Sequence, residues 1–204
     1  MVHFNFIEIG TSDFDTEIEK ASDETIGLSI EPINIYLSRL PNKNKCQKIN
    51  AAISNYNGFI DIYSISPENI IKYNIADWIK GCNSVGKPHR TVEWYLGYHG
   101  LPSNLIEPKI VPVLTFTSIV DKYNITNCDY LKIDTEGHDC VIINNIIDSF
   151  EKGELNFLPK KILFETNELT SNIDIDNTIN RLINIGYTLI ERPDGSNAIL
   201  ELKS

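Results

Sequence analysis

The chain has 204 residues, a net charge of −10 and a pI near 4.8. Hydrophobic residues make up 42% and charged residues 23%, the balance of one folded domain rather than of a disordered segment. The acidity argues against a nucleic-acid partner, which needs clustered Lys and Arg to release counterions, and the one local basic cluster is Lys87, His89 and Arg90. Cys46, Cys82, Cys128 and Cys140 lack CxxC spacing, so no zinc site, redox pair or disulfide framework is expected. No apolar run reaches the ~20 residues that span a bilayer, and no signal peptide is visible, so the expectation is a cytoplasmic protein with no membrane partner. Nothing in the sequence indicates a homo-oligomer.

In chain order, His3–Ile9 reads as a buried strand ending at Gly10, followed by a short polar crossover with room for a brief helix. A second strand, Thr25–Ile30, ends at Glu31-Pro32. Ile33, Leu37 and Leu40 then share one helical face that Pro41 stops. Lys48–Ile53 reads as a third strand, and Asn57-Gly58 as a hairpin turn into Phe59–Ile65. Ser66–Lys109 looks irregular and rich in Gly, Pro, His and aromatic residues, as expected of a substrate-side insertion or lid. Regular elements resume with a strand over Ile110–Phe116, a helix over Ser118–Tyr123 and a strand over Tyr130–Ile133. A helix carrying Ile143, Ile146, Ile147 and Phe150 follows, then a strand over Lys161–Phe164. Asp174 is placed to cap a helix stopped by Gly186. Two strands, Tyr187–Glu191 and Ala198–Leu202, are joined by the turn Pro193-Asp194-Gly195-Ser196. Strands alternating with helices predict a single α/β domain with a mostly parallel sheet, closed by an antiparallel hairpin.

Two strand ends carry most of the chemistry. At Glu8-Ile9-Gly10-Thr11-Ser12-Asp13 an acid, a spacer and a glycine let the backbone turn sharply beside a ligand. Glu31 follows Glu8 by 23 residues, near the ~20-residue spacing at which a second acid meets ribose hydroxyls. Only Gly10 of a G-x-G-x-x-G pattern is present, which disfavours a pyrophosphate cofactor such as NAD; together with the lack of a Tyr-x-x-x-Lys pair, it also disfavours nucleotide-sugar oxidoreduction. The second strand end is Leu131-Lys132-Ile133-Asp134-Thr135-Glu136-Gly137-His138-Asp139, where a strand, an acidic turn and a helix start aim Asp134 at the ligand crevice.

This run resembles the signature of the FkbM methyltransferase family. Ile7–Gly10, Ser29–Pro32, Asn50–Ser54 and Val111–Val113 support the resemblance in the right order along nearly the whole chain. It implies a Rossmann-like class I methyltransferase sheet, S-adenosylmethionine as cofactor, and O-methylation of a sugar or another hydroxylated metabolite. Carried over by position, Glu8, Gly10, Thr11, Ser12 and Asp13 meet the methionine part of the cofactor. Glu31 holds the ribose, Ala52 lies beside the adenine, and Asp134 faces the methyl group.

Methyl transfer to a hydroxyl also needs a group to take its proton. Asp134, His138, His89 and His99 are the candidates; a helix N-terminus at His138 would keep that imidazole neutral. Asp139 reads as a helix N-terminal partner. Ser84, His89, Arg90, Trp94, Tyr95 and His99 lie in a segment whose aromatic and basic groups suit a sugar acceptor, including one that carries a nucleotide diphosphate, or a glycan. Two alternatives stay open. Asp134, Glu136 and Glu165 can bind Mg²⁺ in a metal-assisted methyltransferase, or the fold can serve as a binding domain without turnover.

Overall fold

The computed structural model describes residues 1–192 and 196–203. The elements run β1 (Val2–Ile9), α1 (Glu17–Lys20), β2 (Gly27–Ile30), α2 (Asn34–Arg39), β3 (Cys46–Ile49), β4 (Ala52–Ile53), β5 (Gly58–Ile65), α3 (Pro67–Lys72), β6 (Ser84–Val85) and α4 (Arg90–Tyr98). They continue with β7 (Ile106–Leu114), α5 (Phe116–Tyr123), β8 (Ile125–Ile133), α6 (Asp139–Glu151), β9 (Lys161–Glu165), α7 (Asn172–Asn184), β10 (Tyr187–Glu191) and β11 (Asn197–Leu202). Seven strands form one sheet in the order β10-β11-β9-β8-β1-β2-β3. Four of its six pairings are parallel, and β11 runs antiparallel to both β9 and β10. The fold is α/β with a large, mostly parallel sheet and a C-terminal antiparallel hairpin.

Apolar residues on both faces of the strands explain the layers. Ile7, Ile9, Leu131 and Ile133 join a core with Phe116 and Ile119 of α5, Ile143 and Ile147 of α6, and Ile175 and Leu182 of α7. On the other face Phe6 packs with Ile18 of α1 and Leu37 of α2. Each such side chain contributes about 1.5–3 kcal/mol by leaving water. Among the described residues no helix is long and apolar enough to cross a membrane.

The register lines up the strand ends. Ile9 is level with Ile30 and with Ile133, Ile30 with Ile49, and Ile133 with Phe164. The next residues along the chain, Asn50, Glu31, Gly10, Asp134 and Glu165, therefore form one row along the carboxyl edge of the sheet. The connections from β1 go to one side and β8 lies on the other, so the row is centred where the strand order reverses and a crevice opens.

Several sequence expectations are corrected here. The predicted third strand splits: Asn50 Nδ2 donates to the Glu31 and Pro32 carbonyls, both at 2.9 Å, and ends β3. Ala52-Ile53 then joins a second sheet, β4-β7-β5-β6. Asn57-Gly58 is not a hairpin turn, because β4 and β5 each pair with β7 rather than with each other. Asn57 Oδ1 instead accepts from Thr115 N–H at 2.9 Å and the Ser118 hydroxyl at 3.0 Å, fastening the start of α5. Residues 66–109 are more regular than expected: α3, α4 and a 3-10 helix over Asp77–Gly81 enclose Ile65, Ile70, Ile79, Val92 and Leu96. Ser171, not Asp174, caps α7, accepting from Asp174 N–H at 3.1 Å and donating to Asp174 Oδ2 at 2.7 Å. The predicted turn at Pro193-Asp194-Gly195 lies outside the described residues.

Candidate active site

A cavity of about 200 Å³ opens along the row of strand ends. Its floor is Gly10, Glu31, Asp134 and Glu165, and the second sheet supplies Ala52, Ile53 and Ile62 as an apolar wall. At Gly10 the backbone has φ +81°, and a β-carbon there would lie 1.8 Å from the Asp134 carbonyl oxygen. The two central strand ends approach this closely because residue 10 has no side chain. Ser12, Asp15 and Glu136 also hold left-handed φ values of 46°, 51° and 52°. Strain of this kind is costly for residues other than glycine and collects at ligand sites.

Glu31 holds the loop after β1. Its Oε2 accepts from Thr11 N–H at 3.2 Å and Ser12 N–H at 2.8 Å, and its Oε1 accepts from Ile33 N–H at 2.8 Å. Burial raises its carboxyl to about 7 against those three hydrogen bonds. A carboxylate offers about four acceptor positions, so one remains for a ligand hydroxyl in the cavity. Thr11 and Ser12 line that cavity too, with the Ser12 hydroxyl donating to the Lys80 carbonyl at 3.2 Å.

Two of the residues carried over as cofactor contacts face elsewhere. Glu8 is fully buried and does not line the cavity; its carboxylate accepts from Glu17 N–H at 3.0 Å and Lys132 Nζ at 3.1 Å. It anchors α1 and Lys132, whose Nζ also reaches the Asp15 carbonyl at 2.9 Å. Burial drives Glu8 to about 7 despite Lys132. Asp13 likewise turns away, pairing with Arg39 at 2.7 Å and Lys80 at 3.0 Å. Both acids support the loop from behind.

The second acidic turn converges as the sequence suggested. Asp134 opens onto the cavity, and its carboxylate has no hydrogen-bond partner among the described residues. Surrounding protein, then the charge of Glu136, raises it to about 6. Asp134, Glu136 and Glu165 bring carboxylate oxygens within 4.8 Å of one another. Burial and then this crowding push Glu165 to about 9, and its Oε2 is enclosed without a partner. Asp139, fully buried at the first position of α6, braces the turn by accepting from the Thr135 hydroxyl at 3.0 Å and Glu165 N–H at 3.3 Å.

The histidines take different roles. His138 Nε2 lies 2.9 Å from the Ser54 hydroxyl, and burial lowers its pKa, leaving a neutral ring. His89 caps α4, its Nδ1 accepting from Thr91 N–H at 3.2 Å. Nε2 then carries the hydrogen directed at Glu136 Oε2, 3.0 Å away. Both His89 nitrogens are thus engaged, one in the cap and one at Glu136, and His89 does not line the main cavity.

The expected aromatic platform is also rearranged. Trp94 is exposed and stacks on Tyr98 at 5.3 Å. The Tyr95 oxygen accepts from Ala76 N–H at 3.1 Å, and its ring packs on His99, which ends α4 on the outside. None of Trp94, Tyr95 and His99 lines the main cavity. Phe14 and Trp78 do. Their only sequence signal is an aromatic in a polar loop, and their place depends on how the segment before β6 folds back over Gly81.

A mostly parallel sheet with an acid-rimmed cavity across its central strand ends is consistent with a methyltransferase domain. Residues 6–187 match the family model described as the methyltransferase FkbM domain, and the chain belongs to that family. No curated protein and no solved structure matches the chain.

Proposed function

We propose that this methyltransferase has a Rossmann-like class I domain and transfers a methyl group from S-adenosylmethionine to a hydroxyl of a sugar or glycan precursor. The observation that carries the reading is the row Glu31, Gly10 and Asp134 along one cavity. The residues fit the cofactor chemically. Glu31 keeps one acceptor position for a ribose hydroxyl. Ala52, Ile53, Phe14 and Trp78 offer an apolar slot for the adenine, and the acids around Asp134 complement a positive sulfonium. When bound, the cofactor supplies an electrophilic methyl group.

This chain's own residues then position the acceptor and remove its proton. Asp134 is the base that the geometry favours: it faces the cavity, no other group among the described residues holds it, and its pKa of about 6 keeps it ionised at neutral pH. His138, neutral and hydrogen-bonded to Ser54, stands next in line. Calorimetry with S-adenosylhomocysteine tests the cofactor assignment: micromolar binding is expected, about −8 kcal/mol. No heat with it, together with binding of NAD, would falsify the assignment.

A second reading rests on the convergence of Asp134, Glu136 and Glu165. Their oxygens are the ligands a hard cation such as Mg²⁺ takes, and the cation would supply a lowered hydroxyl pKa. Turnover unchanged by a chelator favours the metal-free reading; turnover that disappears and returns with Mg²⁺ favours this one.

A further inference from the structure

Beyond Glu136 lies a second, smaller cavity of about 120 Å³. Glu136 and Val85 line both cavities, so the two adjoin at the acidic turn. The lining of the second cavity is partly basic: Lys87 and Arg90 belong to it, as does His138. The chain has four arginines and an excess of acids. Arg39, Arg181 and Arg192 each pair with a carboxylate at 2.7–3.5 Å. Among the described residues Arg90 forms no ion pair, and neither does Lys87. The acids nearby do not reach them: Glu136 bonds His89 instead, and Glu168, in the adjoining recess with Arg90 and Trp94, makes no ion pair.

The backbone carrying these two cations is fixed. The Ser84 hydroxyl donates to the Lys87 carbonyl at 2.7 Å, and His89 caps the helix that Arg90 begins. Charge is thus divided across Glu136, with acids on the side of the main cavity and two uncommitted cations on the other. A guanidinium in such a setting is suited to two-point binding of an oxyanion.

We propose that the second cavity binds the acceptor and that the acceptor carries an anionic group, a phosphate or a carboxylate, held by Arg90 and Lys87. The inference rests on the methyl-transfer reading and narrows its substrate class. Glu136 and His138 then lie between the anionic group and the hydroxyl to be methylated, which fixes the acceptor's direction. The anionic group then stays on the cationic side of Glu136, while the acceptor hydroxyl reaches past it to Asp134 in the main cavity.

Inorganic phosphate and acetate are the probes, titrated into protein saturated with S-adenosylhomocysteine and followed by ¹H–¹⁵N NMR. Saturable shifts with millimolar Kd are expected at Arg90 Nε–H and at the amides of residues 84–91 and 136–138. The anion that binds tighter identifies the group. Arg90→Gln should weaken binding about tenfold or more, and Lys87→Gln serves if that variant fails to fold. Shifts that do not saturate, binding unchanged in the variant, or phosphate that competes with S-adenosylhomocysteine each overturn the proposal. Failure of the methyl-transfer reading is separate: S-adenosylhomocysteine would not bind, while the Arg90 response to anions could still be measured.

Discussion

At Gly10 a β-carbon would overlap the Asp134 carbonyl oxygen, a backbone atom that cannot swing aside. Gly10→Ala should therefore destabilise the fold by more than the about 1–3 kcal/mol that left-handed backbone costs a non-glycine residue. It should also abolish measurable S-adenosylhomocysteine binding; thermal melts and calorimetry check both. Asp134 makes a cleaner test of chemistry, because Asp134→Asn keeps the shape and removes the charge. Turnover should fall by about two to four orders of magnitude with cofactor affinity retained. Intact turnover in that variant, with activity lost in His138→Ala, assigns the base to His138 instead.

At the scale of elements, the second sheet and the segment before β6 close the cavity. Trp78 lines it while Trp94 stacks on Tyr98 outside. Trp78→Ala should weaken S-adenosylhomocysteine binding by about 1–3 kcal/mol, the range for a base against an aromatic ring; Trp94→Ala should leave it unchanged. Equal effects in the two variants would contradict this division.

What the sequence revealed follows the same line. β1, β2, β8 and β9 were legible because their apolar runs end at an acid or a glycine, and Glu31, Gly10 and Asp134 follow directly from those ends. The second sheet was not, because β4 pairs with β7, some sixty residues away, while the local Asn57-Gly58 signal pointed to a hairpin. Glu8 and Asp13 read from the sequence as cofactor contacts, whereas their partners Glu17, Lys132, Arg39 and Lys80, set by packing, hold them behind the loop. Glu165 and Glu136 entered as metal ligands, and the structure does bring them beside Asp134.

For the whole molecule, buried acids set the dependence of stability on pH. Glu8, Glu31 and Asp139 are raised to about 7 from 4.5, 4.5 and 3.8, in each case first by burial. Unfolded, they ionise near their ordinary values, so as pH rises from about 4.5 to 7 the unfolded chain releases protons that the fold retains. Stability should fall through that window, each group contributing on the order of 3–4 kcal/mol at most, and Glu165, raised to about 9 first by burial, carries the fall above pH 7. Ion-paired Asp13 works in the opposite direction. Burial raises it, but Arg39 and Lys80 outweigh this and lower it from 3.8, so its contribution is lost as acid protonates it. The melting temperature should therefore peak near pH 5 and be lower at pH 7.5, with a shallower slope in Glu31→Gln. A melting temperature that rises from pH 5 to pH 7.5 would contradict these assignments.

The most direct measurement of the central claim is a crystal structure of the protein with S-adenosylhomocysteine. The ribose hydroxyls are expected against Glu31, the adenine between Ala52 and the Phe14–Trp78 side, and the sulfur facing Asp134. Ligand bound away from the Gly10 loop, or a sulfur turned from Asp134 with another carboxylate or histidine before it, would contradict the account.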